Sequence, residues 1–295
     1  MNRKFIEFRK QSDFSGILTD TFGFIRNEFK PLMKMVITIA GPAILVYLLS
    51  LAVYNYVAGD IFNITSVGNP EVNSGSLAIS ILAFFVYAIS AIATYILIGG
   101  TVLYYIKSYI DNKGVVDYEE IKGNTYKAIG AFFGLGVLKV ITLFFATMLC
   151  VLPVFYAMVP MAVVFSLYVF ETENSVTDAY SKSFYLVNAD FWTAWGSYIV
   201  LFIIYYIIIV VFALPSSIYA MISTGIFSGE IDPANINEFS RDPILIVLSV
   251  LQAFVQVLLN VILVIGGAAI YFHLHEKTSF TGTYERINEI GKIEE

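Results

Sequence analysis

The sequence predicts an all-α integral membrane protein: a six-span helical bundle built from three repeats, each a cytoplasmic amphipathic helix followed by a transmembrane hairpin. The composition is the first observation, since 58% of the 295 residues are apolar and 14% are charged, against about 45–50% and about 25% in a soluble domain. The second is that the apolar residues fall in blocks of roughly 20, the length at which a helix crosses a ~30 Å hydrocarbon core. The third is a repeated side-chain pattern ahead of these blocks.

The apolar blocks are continuous, which favours helices over the alternating strands of a barrel. Inside lipid, only these two structures satisfy every backbone hydrogen bond. Pro153 divides one long block into two, because proline lacks the N–H donor that a helix interior needs. The predicted spans are about Leu32–Val57, Leu77–Ile106, Phe133–Leu152, Val154–Phe170, Phe191–Leu214 and Ile244–Phe272.

Lysine and arginine predict the orientation of the chain in the membrane. Of the 17 such residues, 15 lie in the N-terminal region, after the second and fourth spans, and in the C-terminal tail. The opposite loops carry Arg241 alone, and Lys139 lies inside a span. Because positive residues stay on the cytoplasmic side, we expect both termini in the cytoplasm. A five-span arrangement would place the tail outside, and this bias disfavours it.

Three segments align without gaps when they start at Asp13, Asp117 and Ser175, at offsets of 104 and 58 residues. Each begins with a residue that favours the N-cap of a helix, where its side-chain oxygen accepts a backbone N–H. In the second and third segments an acid follows three residues later, as in a capping box. Five further positions share one face of a 3.6-residue helix: Ile17, Thr21, Phe22, Ile25 and Phe29; Ile121, Thr125, Tyr126, Ile129 and Phe133; Ala179, Ser183, Phe184, Val187 and Phe191.

Each segment therefore predicts a short amphipathic helix on the cytoplasmic surface, followed by an aromatic residue where the chain enters the membrane and by a pair of spans. Phe29, Phe133 and Phe191 are these predicted interfacial aromatics. Trp192 and Trp195 reinforce the third at the headgroup level, where amphipathic rings are enriched.

The three units account for the whole chain as a single membrane domain. The units cover about residues 13–110, 117–170 and 175–273 of the domain 1–295, and residues 274–295 form a cytoplasmic tail.

Cys150 is the one cysteine in the sequence, so an intramolecular disulfide is excluded.

Two stretches resemble a known family. One is Phe14–Phe22, with Phe29–Leu32 leading into the first span, and the other comprises Tyr168–Glu171, Ser175–Phe184 and Phe191-Trp192. They are similar to the membrane domain of the glycerophosphodiester phosphodiesterase family and to its stand-alone bacterial integral membrane relatives. The likeness covers nearly the whole chain in layout. It implies a bacterial protein whose membrane domain is a non-catalytic companion of an enzyme.

The inventory of reactive side chains disfavours an enzyme. The chain has two histidines, His273 and His275, fewer than a histidine-ligated iron site of the carotene-oxygenase kind needs. Being two residues apart on a helix, they face different sides. The soluble barrel that carries diesterase chemistry is absent from the sequence. We therefore expect no catalytic, cofactor-binding or metal-binding residues, and no cofactor.

Polar side chains inside a span are functional candidates because they are costly in lipid. On the last span Ser249, Gln252, Gln256 and Asn260 form a polar stripe, in which the last three are spaced four apart on one helix face. The stripe either lines a hydrophilic path or hydrogen-bonds a neighbouring helix. Interhelical bonds of this type are worth only ~0.6 kcal/mol on average and are common.

Lys139 and Glu171 are the candidate intramembrane charges. Lys139 follows the interfacial Phe133 by six residues, which is about 9 Å along a helix. A lysine at that depth reaches the headgroups with its long apolar stem. The alternatives are a buried ion pair with Glu171 or a contact to a ligand.

The sequence thus predicts a non-enzymatic bacterial inner-membrane protein with a structural, assembly or lipid-associated role. Membrane lipids are the expected partners, together with another membrane or envelope protein in an assembly role, and no nucleic acid is expected. The alternative is a small transporter or permease with a polar path along the last span, since prolines that break helices accompany the stripe. A wide, wet cavity that reaches Gln256 would favour the transporter, and a closed bundle would favour the first function.

Overall fold

The structure, a computed structural model, describes residues 6–58, 74–149, 151–171, 175–224 and 242–280. Within these ranges the regular structure is α-helical throughout, and eight helices follow one another. They are α1 (Phe14–Ala58), α2 (Ser74–Asp111), α3 (Tyr118–Lys127), α4 (Ile129–Leu149), α5 (Val151–Phe170), α6 (Val176–Val187), α7 (Phe191–Ser223) and α8 (Pro243–Ser279).

Six of these helices are long and apolar enough to cross a membrane. They are α1, α2, α4, α5, α7 and α8, and each contains an apolar window with a mean hydropathy between 1.9 and 2.8. The short helices α3 and α6 precede the second and third pairs of long helices, as the sequence predicts. The prediction of a six-span all-α membrane protein is confirmed.

The first surface helix is not separate from its span, so this part of the prediction is wrong. Helix α1 runs without interruption from Phe14 to Ala58, whereas α3 ends at the C-cap Ala128 and α6 at the C-cap Asn188. Where the break was expected, α1 carries Glu28, which is buried and accepts a 2.7 Å hydrogen bond from the hydroxyl of Tyr105. The buried acid is therefore satisfied by a residue of α2 at the point where the helix runs on into the span.

The third and fourth spans meet a few residues earlier than the sequence indicates. Helix α4 ends at Leu149 and α5 begins at Val151, whereas Leu152 and Pro153 were the expected boundary. Pro153 lies in the first turn of α5, where a missing N–H would have had no partner inside the helix in any case. The proline therefore helps to begin the fourth span and does not end the third.

The contacts group the chain into two compact units. Unit 1 comprises Met1–Ile39, Ile96–Tyr205 and Asn260–Glu295, and unit 2 comprises Ala40–Tyr95 and Tyr206–Leu259. Each unit is assembled from segments that lie far apart in the sequence. The division into a single domain of three repeats stays a prediction.

In unit 1 the three aligned segments share one pattern of burial. The positions four, eight and eleven residues after the N-cap are buried in every segment. The middle position is a hydroxyl residue each time and is at most 2% exposed: Thr21, Thr125 and Ser183. A small hydroxyl residue at the same buried position in each segment is more than amphipathicity alone requires, and it supports the predicted repeat.

All three predicted N-caps are confirmed. The carboxylate of Asp13 accepts a backbone N–H three residues further on at 2.8 Å. That of Asp117 accepts two N–H groups at 2.9 and 3.3 Å, and the hydroxyl of Ser175 accepts one at 3.2 Å. These bonds satisfy N–H groups that have no partner within the first turn of a helix.

Helix α8 approaches its neighbours in unit 1 closely at a pair of glycines. A Cβ atom at Gly267 would lie 2.7 Å from the backbone oxygen of Ala162 in α5. At Gly266 it would collide with the side chain of Leu201 in α7. The absence of side chains at these two positions therefore sets the distance between the helix backbones.

In unit 2 tyrosine rings and serine hydroxyls connect α1 with α2. Tyr87 stacks on Tyr47 and on Tyr54, with ring centroids 5.8 and 5.4 Å apart. The buried hydroxyls of Ser50 and Ser90 lie 2.7 Å apart and share a hydrogen bond. The two helices are thus held together by specific side-chain contacts as well as by apolar packing.

Replacing Gly267 by alanine should destabilise the protein, because the new methyl group would press on the backbone of Ala162, which cannot turn away. We expect a loss of about 1–3 kcal/mol, measured as a lower melting temperature in detergent. Gly130→Ala is the matched control, since nothing lies within 4 Å of the position of its Cβ. Equal melting temperatures for both variants would contradict the close helix contact.

Candidate functional site

The N-terminal segment, residues 6–13, connects the ends of two long helices in unit 1. The backbone N–H of Ile6 donates to the hydroxyl of Tyr109 near the end of α2, at 3.1 Å. The backbone N–H of Ser12 donates to Nδ1 of His273 in the last turns of α8, at 3.2 Å. An irregular segment is thus held in place by side chains that accept its backbone donors.

Phe8 anchors the middle of this segment. Its side chain is 4% exposed and packs edge-on against the ring of Phe24 in α1, with centroids 5.1 Å apart. The ring of Phe272 in α8 lies 5.7 Å away on another side. The segment is therefore packed into unit 1 by an apolar residue between its two polar attachments.

His273 links the N-terminal segment to the start of α7. Because Nδ1 accepts from Ser12, Nε2 is the nitrogen that carries the proton and donates to Asp190 Oδ2, 3.3 Å away. Lys277 donates to the same oxygen at 2.6 Å. Burial raises the pKa of Asp190, but hydrogen bonds from Lys277, Thr193 and His273 outweigh it and lower the pKa to about 2. Asp190 is therefore held ionised between two donors.

Glu171 forms a second group of contacts, one residue beyond the end of α5. It makes an ion pair with Lys182 of α6 and lies 3.6 Å from Nδ1 of His275. The hydroxyl of Tyr271 donates at 3.4 Å to Oε1, the oxygen that lies near His275, whereas Lys182 pairs with Oε2. The Tyr271 ring stacks on Phe170 with centroids 5.5 Å apart. This carboxylate connects the ends of α5 and α8 with the surface helix α6.

Ser108 plays a similar part for the surface helix α3. Its hydroxyl accepts the backbone N–H of Asp117 at 3.2 Å and donates to the carboxylate of Glu120 at 3.2 Å. The acid that the sequence assigns to a capping box thus reaches the N-cap residue through a serine of α2. We call the contacts of the N-terminal segment, Asp190, Glu171 and Ser108 together the helix-end network.

A cavity of about 190 Å³ lies among the ends of α2, α5 and α8, next to the N-terminal segment. Among the described residues, no group of three histidine, cysteine, aspartate or glutamate side chains is placed to hold a metal ion. The polar residues around the cavity are Arg9, Lys107, Asp111, Tyr271 and His275, and the apolar ones are Ile110, Phe170 and Phe272.

Two residues of the polar stripe on the last span accept hydrogen bonds from neighbouring helices, and a third is exposed. Ser249 accepts a 2.9 Å hydrogen bond from Asn55 of α1, and Gln252 accepts one from Ser216 of α7 at 3.4 Å, all within unit 2. Gln256, also in unit 2, is exposed. The fourth residue, Asn260, is half-buried and belongs to unit 1.

The two candidate intramembrane charges have different surroundings. The ammonium group of Lys139 lies 5.7 Å from the ring centroid of Phe165, within the range of a cation–π interaction. Glu171 has the contacts to Lys182, His275 and Tyr271 described above. These contacts in the helix-end network explain how a carboxylate is accommodated one residue beyond the end of an apolar helix.

The predicted interfacial aromatics are largely exposed. Phe29 is 54% exposed, Phe133 51% and Trp192 77%. Phe191 is half-buried and stacks on Tyr156, with centroids 5.5 Å apart. Trp195 is also half-buried and lies edge-on to Trp192.

The polar residues of this site that escape the sequence analysis include Arg9, Lys107, Asp111, Asp190 and Tyr271. None belongs to the repeated helix face. The signal that points to Lys107 and Asp190 is position, because Lys107 directly follows an apolar block and Asp190 directly precedes the interfacial Phe191.

No protein-family model, curated protein or solved structure matches this chain. The resemblance to the membrane domain of the glycerophosphodiester phosphodiesterase family therefore stays a prediction. The helices themselves define the broader class, because six of them have the length and hydropathy of membrane spans. The chain is a multi-pass α-helical integral membrane protein.

The low pKa of Asp190 predicts a specific loss of stability in acid. An acid whose pKa falls from 3.8 to about 2 on folding stabilises the fold above pH 4, and this contribution disappears as the pH falls toward 2. Asp190→Asn should therefore melt at a lower temperature than the wild type at pH 7. The difference should shrink between pH 4 and pH 2.

Melting temperatures in detergent across this pH range measure the effect. Glu119→Gln, at an exposed position in the first turn of α3, is the control and should follow the wild-type curve. A constant difference between Asp190→Asn and the wild type at every pH would show that the carboxylate is not held by Lys277 and His273.

Proposed function

We propose that the chain is a non-enzymatic protein of a bacterial inner membrane with a structural, assembly or lipid-associated role. One observation carries this proposal: the ionisable side chains at the helix ends of unit 1 contact other elements of the same unit. Asp190 binds residues of α8, and Glu171 binds residues of α6 and α8. These groups hold the fold together.

The energetics favour this interpretation. A buried polar group that loses its partner costs about 1–3 kcal/mol, and a charged one costs more. The backbone of Ser12 and the carboxylates of Asp190 and Glu171 have partners more than ten residues away along the chain. Changing any of them for catalysis or transport would disturb helix packing. A scaffold function requires only that these contacts stay in place.

The surface of the helices supports a role at the lipid boundary. Phe29, Phe133 and Trp192 are more than half exposed where their helices meet apolar stretches. Aromatic rings in such positions sit at the headgroup level of a membrane. We assign this aromatic set and the basic residues near it to the cytoplasmic leaflet.

Cysteine labelling tests the orientation that this proposal requires. In a background with Cys150→Ser, a cysteine at Ser74 should react with a membrane-impermeant maleimide in intact cells, and one at Ser12 should react after the cells are opened. The reason is the strong excess of lysine and arginine on the Ser12 side. Labelling of the Ser12 position in intact cells would contradict this orientation and show that the N-terminal segment lies outside the cell.

A transporter remains the second candidate, since Gln256 is an exposed amide on an apolar helix. Its neighbours on the stripe favour packing, because Ser249 and Gln252 are bonded to α1 and α7. The two functions differ in what the Gln256 amide does. It contacts a substrate in a transporter and has no required partner in a scaffold.

Gln256→Leu and Asn260→Leu separate these functions. In a scaffold both variants should keep the wild-type amount in the membrane and restore the phenotype of a deletion strain, because the lost bonds are worth only ~0.6 kcal/mol on average. In a transporter the change removes a donor and an acceptor from the path, so that activity falls while abundance holds.

Complementation and membrane abundance are measured in parallel. Leu251→Val, at an exposed apolar position of the same helix, is the control for a change of shape without a loss of polarity. Normal abundance with lost complementation in both amide variants would contradict the scaffold and favour the transporter.

A further inference from the structure

The cavity among the ends of α2, α5 and α8 lies where three apolar helices become polar. Lys107 directly follows the apolar stretch of α2, Phe170 ends that of α5, and His275 follows the last apolar residues of α8. A membrane helix makes this change at the boundary between hydrocarbon and headgroups. The cavity is therefore at the depth of phospholipid headgroups.

Its walls carry charges of both signs. Arg9 and Lys107 are the cations, and Asp111 is the acid, 3.5 Å from the Arg9 guanidinium. Helices α2 and α5 also end beside the cavity, since Ile110, Asp111 and Phe170 line it, and the C-terminal end of a helix is equivalent to about half a negative charge. Lys107 donates to the backbone oxygen of Val169 at 3.1 Å and so compensates part of the α5 end.

This balance discriminates between ligand classes. A purely anionic group would be attracted by Arg9 and Lys107 but repelled by Asp111 and the helix ends. A purely cationic group would be attracted by Asp111 and the helix ends but repelled by Arg9 and Lys107. A group that carries a phosphate and an amine a few bonds apart satisfies both sets of charges, with the phosphate on the guanidinium and the amine on the acid.

The remaining walls fit the rest of such a group. Ile110, Phe170 and Phe272 are apolar, and the aromatic rings can also attract an ammonium ion. A volume of about 190 Å³ is several times the roughly 30 Å³ of one water molecule in the liquid. The acceptor at this site is the carboxylate of Asp111, which favours an amine that carries hydrogens over a quaternary one.

We propose that this cavity binds the headgroup of a zwitterionic phospholipid with a primary amine, as in phosphatidylethanolamine. The phosphate lies at Arg9 and Lys107, and the ammonium lies at Asp111. The proposal deepens the lipid-associated role proposed above and rests on it. The N-terminal segment contributes one of the cations, so the site depends on the attachment of residues 6–13.

Native mass spectrometry of the full chain, released from nanodiscs, tests the site. The nanodiscs contain equal amounts of phosphatidylethanolamine, phosphatidylglycerol and phosphatidylcholine. The wild type should retain phosphatidylethanolamine about tenfold over either of the other two lipids. Arg9→Gln should lose most of this retention. The Asp111→Asn variant should retain phosphatidylglycerol as well as phosphatidylethanolamine, because the carboxylate that repels an anionic headgroup and binds the amine is gone.

Arg26→Gln is the matched control, since Arg26 is an exposed arginine of α1 away from the cavity, and it should behave as the wild type. Circular dichroism confirms folding, and if Arg9→Gln does not fold, the lipid preference of Asp111→Asn decides. Inorganic phosphate should not raise the melting temperature of delipidated protein, whereas phosphatidylethanolamine should.

Equal retention of the three lipids by the wild type, or unchanged retention in both cavity variants, would overturn the site. An equal shift of the melting temperature with inorganic phosphate would overturn it too, in favour of a free-phosphate site. These results would leave the scaffold function standing, because that function is judged by the complementation and abundance of Gln256→Leu and Asn260→Leu.

Discussion

A polar group that is buried where apolar helices end needs a hydrogen-bond partner, and this requirement organises unit 1. Asp190, His273 and the backbone of Ser12 form a continuous chain of hydrogen bonds from the start of α7 through α8 to the N-terminal segment. Three parts of the sequence, more than 80 residues apart, are joined by this chain. Without it, the partly buried backbone N–H of Ser12 and the imidazole of His273 would lose their partners, and a buried polar group without a partner costs about 1–3 kcal/mol.

The same contacts shape the candidate site. The N-terminal segment that Ser12 attaches to α8 also carries Arg9 to the cavity. Tyr271 donates to Glu171 and stacks on Phe170, so a wall of the cavity is fixed by the contacts that hold α5 against α8. The contacts that stabilise unit 1 and the proposed lipid site therefore use one set of side chains. This favours a function in which the arrangement stays intact, such as lipid binding or scaffolding.

Local signals in the sequence predict much of the fold. The apolar blocks give the six spans, and Asp13, Asp117 and Ser175 cap helices as expected because capping involves neighbouring residues. The continuity of α1 could not be predicted from the repeat, and neither could the contact of Glu28 at the expected break with Tyr105, a residue 77 positions away. The helix-end network also consists of contacts between residues far apart in the sequence, so it could not be predicted either. The stripe at Ser249 and Gln252 was recognisable from its spacing, but the sequence does not reveal whether neighbours on other helices satisfy it.

Hydrogen exchange at the N-terminal segment tests most directly whether the helix-end network holds unit 1 together. The purified full chain in detergent is exchanged into heavy water, and peptides that cover residues 6–13 are followed by mass spectrometry. We expect the amides of Ile6 and Ser12 to exchange slowly, and Tyr109→Phe to accelerate Ile6 because it removes the accepting hydroxyl. Exchange of these amides in the wild type at the rate of an unstructured peptide would contradict the network.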